Sequence, residues 1–163
     1  MEASRKKIKK ENLFRFVFPF AANGKYFLFY GRNGLVEYQV IIPDKKVEAF
    51  LSDAEKIILD NRMEGVMGSM KLFRGHQQLL RYEMDGLCVT FNFVRTERTL
   101  NGLPLLDRLV IDMGGLPNLI KDSRIPREVV AACYPELEKT RNALRNYDPD
   151  RLFRSELSER LGL

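Results

Sequence analysis

Two stretches of alternating residues, with a helical stripe between them, constrain this chain more than any other feature. Residues 35–42 read Leu-Val-Glu-Tyr-Gln-Val-Ile-Ile and end at Pro43. Val36, Tyr38, Val40 and Ile42 share one face of such a strand, and Glu37 and Gln39 share the other. Residues 87–95 repeat the pattern, with Leu87, Val89, Phe91 and Phe93 set against Cys88, Thr90 and Asn92. Between them, Asp44 is placed to cap a helix running through Arg62. Its apolar positions Val47, Phe50, Leu51, Ala54, Ile57 and Ile58 keep the spacing of one buried stripe.

A further strand is expected over 66–73, with Met70 and Leu72 on one face and Ser69 and Lys71 on the other. Residues 74–86, containing His76, Gln77 and Gln78, read as a loop or hairpin excursion. A second helix is expected from about Pro104, carrying Leu106, Leu109, Val110 and Met113 and stopping at Gly114-Gly115. The aromatic-rich segment 12–30 is expected to add one more strand and a lead-in loop. The fold class is therefore α+β, an antiparallel sheet with helices on one face.

After Gly115 the character changes to a helical tail. A loop over 120–126 leads to a short helix from Pro126 through Cys133. Pro135 opens another to about Asn146, residues 147–150 form a turn, and Ser155 caps a last helix ending near Leu161. The tail has little apolar surface of its own. The organisation expected is a basic tail over 1–11, an α+β domain over 12–115 and a helical segment over 116–163.

Three strands place polar groups on the sheet face away from the helices: Glu37, Gln39, Ser69, Lys71, Cys88, Thr90 and Asn92. A solvated outer face and a binding platform both fit that pattern.

Composition removes several function classes. The chain has 27 Lys and Arg against 22 Asp and Glu, a net charge of +5. Arg5, Lys6, Lys7, Lys9 and Lys10 stand against Glu2 in the first ten residues, so the rest of the chain is nearly neutral. That is no footprint for a nucleic-acid backbone. Cys88 and Cys133 are 45 positions apart and His76 is the single histidine, which excludes the usual zinc spacings and leaves few parts for nucleophilic catalysis. Chemistry on such a chain rests on another device, such as a bound cofactor. No apolar run approaches the roughly 20 residues that span a bilayer, and the first ten residues lack the apolar core of a signal peptide, so a cytoplasmic location is expected.

Several strings occur together and in order: Tyr30-Gly-Arg-Asn-Gly-Leu-Val-Glu-Tyr-Gln-Val-Ile-Ile-Pro43, Met70-Lys-Leu-Phe73, Gly86-Leu-Cys-Val-Thr-Phe91, Lys121-Asp-Ser-Arg124, Tyr134-Pro135 and Tyr147-Asp-Pro-Asp-Arg-Leu-Phe-Arg-Ser155. With the terminal Arg-Leu-Gly-Leu, this set resembles the C-terminal part of FAD-linked oxidoreductases of the vanillyl-alcohol-oxidase type, in particular their ribose-oxidase-like and sugar-lactone-oxidase-like members. The resemblance implies a ferredoxin-like cap domain whose sheet roofs the flavin. It implies that Lys71 and Lys121 are catalytic lysines facing flavin or substrate. Gln39 matches a glutamine near both, Glu37 stands where relatives often have glutamine, and Cys88 matches a pocket cysteine. Asn92 shares their face by alternation. Phe18 stands where relatives tend to have tyrosine.

The family holds FAD mainly through an N-terminal domain with a glycine-rich pyrophosphate loop. Gly31-Arg-Asn-Gly34 leads into a strand and Gly114-Gly115 follows a helix, so neither is such a loop. The implied partner is an FAD-binding half, onto which 116–163 folds. FAD is not expected to stay on this chain alone, and the substrate implied is a sugar or lipid-linked sugar. A split subunit, a truncated frame and an expressed fragment all fit. The alternative is a catalytically inactive ferredoxin-like binding or self-association module, forming homo-oligomers by exchange of C-terminal helices.

Overall fold

The computed structural model describes residues 10, 12–17, 28–121 and 124–163. Most of the basic tail, Phe18 and the middle of the aromatic segment lie outside the described residues. Inside them, Leu13–Val17 form a short helix, α1, and 28–30 a 3-10 turn, so these parts of the expected strand are not extended. The Asn12 side chain accepts the Phe14 N–H at 2.8 Å, a local bond that favours the helical start.

Among the described residues the sheet has four strands: β1 (Leu35–Pro43), β2 (Gly65–Phe73), β3 (Gly86–Val94) and β4 (Leu116–Pro117). Their spatial order is β2-β3-β1-β4 and every pair is antiparallel. Leu35 lies opposite Val94 and Pro43 opposite Gly86, so both ends of the β1–β3 ladder are in register. A Cβ on Gly86 would run into the Ile42 carbonyl, which reserves that position for glycine. A bulge between Gly65 and Met67 interrupts β2 against β3.

Two helices cover one face: α2 (Val47–Asp60) and α3 (Glu97–Met113). Asp44 does not cap α2. It sits in a 3-10 turn over Asp44–Lys46, and its carboxylate meets Arg74 at 3.1 Å. α3 begins well before Pro104, because the Thr96 hydroxyl accepts the Thr99 N–H and caps a turn upstream. Pro104 then sits inside the helix on its exposed side, where water can satisfy the carbonyl that loses its donor. Gly114, at φ 67°, closes the helix in the left-handed conformation.

Tyr38, Val40 and Ile42 of β1, Val89 and Phe93 of β3, Phe50 and Ala54 of α2, and Leu103, Leu106 and Val110 of α3 form the first core. Fully burying one such side chain contributes about 1.5–3 kcal/mol.

The tail helices are α4 (Arg127–Cys133), α5 (Leu137–Tyr147) and α6 (Glu156–Leu161). They build a second core by borrowing Ile41 and Cys88 from the sheet. Leu116, Leu119, Ile125, Val130, Tyr134, Leu137 and Leu161 complete it. Polar anchors hold this layer: Tyr134 donates its hydroxyl to the Pro117 carbonyl at 2.6 Å, and the buried Arg141 guanidinium donates to the Leu161 carbonyl. One end of the sheet's second face is thus covered, and the other end is open. Among the described residues no helix is long and apolar enough to cross a membrane.

Candidate functional site

Alternation along β1, β2 and β3 carries the polar side chains to the open part of the second face. Cross-strand register then sorts them into rows. Met67, Asn92 and Glu37 form the first, Ser69, Thr90 and Gln39 the second, and Lys71, Cys88 and Ile41 the third. Asn118, just after β4, extends the middle row. Its backbone N–H donates to the Gln39 carbonyl at 2.9 Å and its side-chain amide to Gln39 Oε1, while Gln39 Nε2 donates to Thr90 Oγ1 at 2.9 Å. A continuous hydrogen-bonded line therefore runs across β4, β1 and β3, holding the Gln39 amide in one orientation.

The Asn118 turn also places Lys121, whose backbone N–H donates to the Asn118 carbonyl at 3.2 Å. The Lys121 ammonium meets Glu37 Oε1 at 3.4 Å, with half of the lysine side chain exposed. Such a pair stabilises by no more than about 1 kcal/mol. Arg124 anchors the far side of this segment. It forks onto the buried Asp107 carboxylate of α3 at 2.6 and 2.9 Å and lies over the Tyr38 ring, 5.8 Å from its centroid.

All six residues singled out from sequence (Glu37, Gln39, Lys71, Cys88, Asn92 and Lys121) line one open groove of about 380 Å3. They are not equally accessible. Lys71 and Lys121 are exposed and Glu37 and Gln39 half-buried, whereas Asn92 is 4% and Cys88 1% exposed. Asn92 Oδ1 is buried with no hydrogen-bond partner among the described residues, an acceptor left for something else. Cys88 and Cys133 are both free thiols.

Met67, Phe73, Tyr82 and Asn118 also line the groove and were not singled out from sequence. Met67 and Phe73 follow from the alternation that places Ser69 and Lys71. Asn118 follows a strand of two residues, too short to show a period. Tyr82 lies between β2 and β3, where no pattern marks it. Its hydroxyl is 3.3 Å from Cys88 Sγ and its ring meets Phe73 edge-on at 5.8 Å. Burial, and then the contact with the thiol, push the Tyr82 phenol above its ordinary value.

The donor set fits a planar, electron-rich group with acceptor atoms at its rim: two ammonium groups, the Ser69 hydroxyl and an oriented amide line stand beside the unsatisfied Asn92 acceptor. It does not supply a pyrophosphate cradle. Gly31 and Gly34, both at positive φ, turn the chain into β1, and Gly114 ends α3, so among the described residues no glycine-rich loop precedes a helix N-terminus. No group of three His, Cys, Asp or Glu side chains among the described residues suits a metal ion.

Sheet and groove thus define an α+β module whose polar face is left open on one side. No family model matches the chain. The chain is similar to the decaprenylphosphoryl-beta-D-ribose oxidase of Mycolicibacterium smegmatis, with 31% identity over 159 residues, which make up 95% of this chain and 34% of that protein. It therefore spans about a third of the length of this curated relative, consistent with the C-terminal part of such an oxidase.

Proposed function

We propose that this chain is the substrate-facing portion of an FAD-dependent oxidoreductase acting on a CH–OH group of a sugar or related alcohol, active only with an FAD-binding half. The observation that carries the reading is the groove itself, in which Lys71, Lys121, Gln39 and Asn92 converge on one open face. The similarity to an oxidase over nearly the whole chain supports it.

FAD, when bound, supplies the acceptor for the substrate's hydride. The remaining work falls to this chain. The Gln39 amide, fixed between Thr90 and Asn118, orients a ring or hydroxyl laid on the sheet. One lysine holds negative charge at the ring's edge, and the other takes the substrate's hydroxyl proton. Lys71 is exposed to water, and Lys121 is half exposed beside Glu37. The tail's exposed Tyr147, Leu152 and Phe153 suit contact with the same partner.

Co-expression with an FAD-binding half, followed by size-exclusion chromatography with flavin absorbance, tests this. A yellow complex is expected. Lys71→Ala or Lys121→Ala should leave the complex intact and lower turnover by about 100-fold or more. A colourless chain that never joins the FAD-binding half overturns the reading and favours the inactive binding module.

A further inference from the structure

Cys88 lines the groove and yet is 1% exposed. Part of its cover comes from the excursion between β2 and β3. Phe73, Leu80, Tyr82 and Met84 pack against the second core, and the Tyr82 hydroxyl closes on Cys88 Sγ at 3.3 Å. The excursion is pinned at both ends. At its base Asp85 Oδ1 accepts the Gly75 N–H at 2.9 Å, and at its tip Glu136, beside the start of α5, accepts the Leu79 N–H at 2.7 Å. Leu79 is held at φ 51°, a conformation a leucine adopts only when its surroundings hold it. The Leu79 N–H, then Lys139, keep the Glu136 carboxyl below its ordinary pKa.

We infer that residues 74–85 are a strap across one end of the groove, and that Tyr82 is the stop that decides how far along the sheet a ligand reaches. This deepens the proposed function and rests on it. Two residues along a strand advance about 6.6 Å, so the floor from the Asn92 row to the Cys88 row is about 13 Å long. With Tyr82 in place the usable floor ends short of the thiol. A ligand lying across the Asn92 and Thr90 rows is accepted, and one reaching over Cys88 is refused. Tyr82 is thus a specificity-determining residue, and Glu136 positions it through the strap.

The test reads access to Cys88 and needs neither flavin nor partner, so it can fail while the flavin reading stands, and the reverse. In the full chain carrying Cys133→Ser, Cys88 is exposed to iodoacetamide and to a bulky biotin-maleimide, and intact mass is followed over time. Tyr82→Ala should speed iodoacetamide labelling by about tenfold or more, and Tyr82→Phe, which keeps the ring, by less than about threefold. Biotin-maleimide should label the Ala variant and leave the Phe variant slow. Amide exchange guards against a variant that unfolds: β1 and β3 should stay protected in Tyr82→Ala. If they do not, Glu136→Ala decides, since it frees the strap tip outside the groove. It should raise both Cys88 labelling and amide exchange over 75–84, again with β3 protected. Labelling of Tyr82→Ala within about twofold of its parent overturns the proposal, as does a Phe variant that labels as fast as Ala. A Glu136→Ala strap that exchanges faster while Cys88 labelling does not change overturns it too.

Discussion

The two faces of this sheet carry different loads. On the helix side, β1 and β3 present apolar side chains and the Tyr38 ring to α2 and α3, and these four elements build the first core. On the other side the same strands give up most of their area to a polar groove, and the second core is assembled from Ile41, Cys88 and segments reaching to Leu161. The first is dry packing. The second depends on anchors such as Tyr134 to Pro117 and Arg141 to Leu161, and it carries a thiol and phenols. A sheet can support both because its side-chain period is two: what one face spends on stability leaves the other free for binding.

The sharpest way to break this contrast is to cut each core once. Leu106→Ala, in the first, should cost about 2–5 kcal/mol in denaturant unfolding and lower the stability of the whole molecule, since both cores share the sheet. Leu161→Ala, in the second, should cost about as much locally. Amides of α4–α6 should then exchange faster while β1 and β3 stay protected. Equal loss of protection on both faces would show one cooperative unit rather than two.

Asp107→Ala comes next. It removes the buried carboxylate onto which Arg124 forks and should cost about 1.5–3 kcal/mol in thermal or chemical unfolding. Loss of that fork should also loosen the segment that carries Lys121. Unchanged exchange over 118–121 would deny that link.

Alkaline pH should separate the cores without mutation. An acid that ionises less readily when folded stabilises the fold fully below its ordinary pKa, and that contribution is lost as pH rises past it. Burial, and then the charge of Asp107, push the Cys133 thiol from 9.0 up to about 12. Burial also raises Tyr82 and Tyr134. Stability should therefore fall from about pH 9 upward, with tyrosinate absorbance and exchange in α4–α6 rising before β1–β3 protection is lost. Loss of β1–β3 protection first would contradict it.

The smallest effect sharpens the functional half of the comparison. Lys71→Ala and Lys121→Ala remove exposed groups, and each should change unfolding free energy by less than about 1 kcal/mol. A larger loss would make these lysines structural.

Alternation alone, read from 35–42 and 87–95, settled which strand residues face the helices and which face away, because in a strand neighbouring side chains must point to opposite sides. Glu37, Gln39, Lys71, Cys88 and Asn92 meet in one groove for this reason, and the turn after β4 adds Lys121. The start of α3 was less legible: Pro104 looked like a helix beginning, but the Thr96 cap upstream outweighed it. Asn118, Tyr82 and the second core were not legible at all. Each depends on contacts between residues far apart in the chain: Gln39 with Asn118, Leu79 with Glu136, Ile41 with the tail. Local sequence determined strands, faces and polar floor, since propensity and period act over a few residues. Which segment roofs that floor, and how much of Cys88 remains open, was decided by tertiary packing, where loop closure brings together groups that share no local pattern.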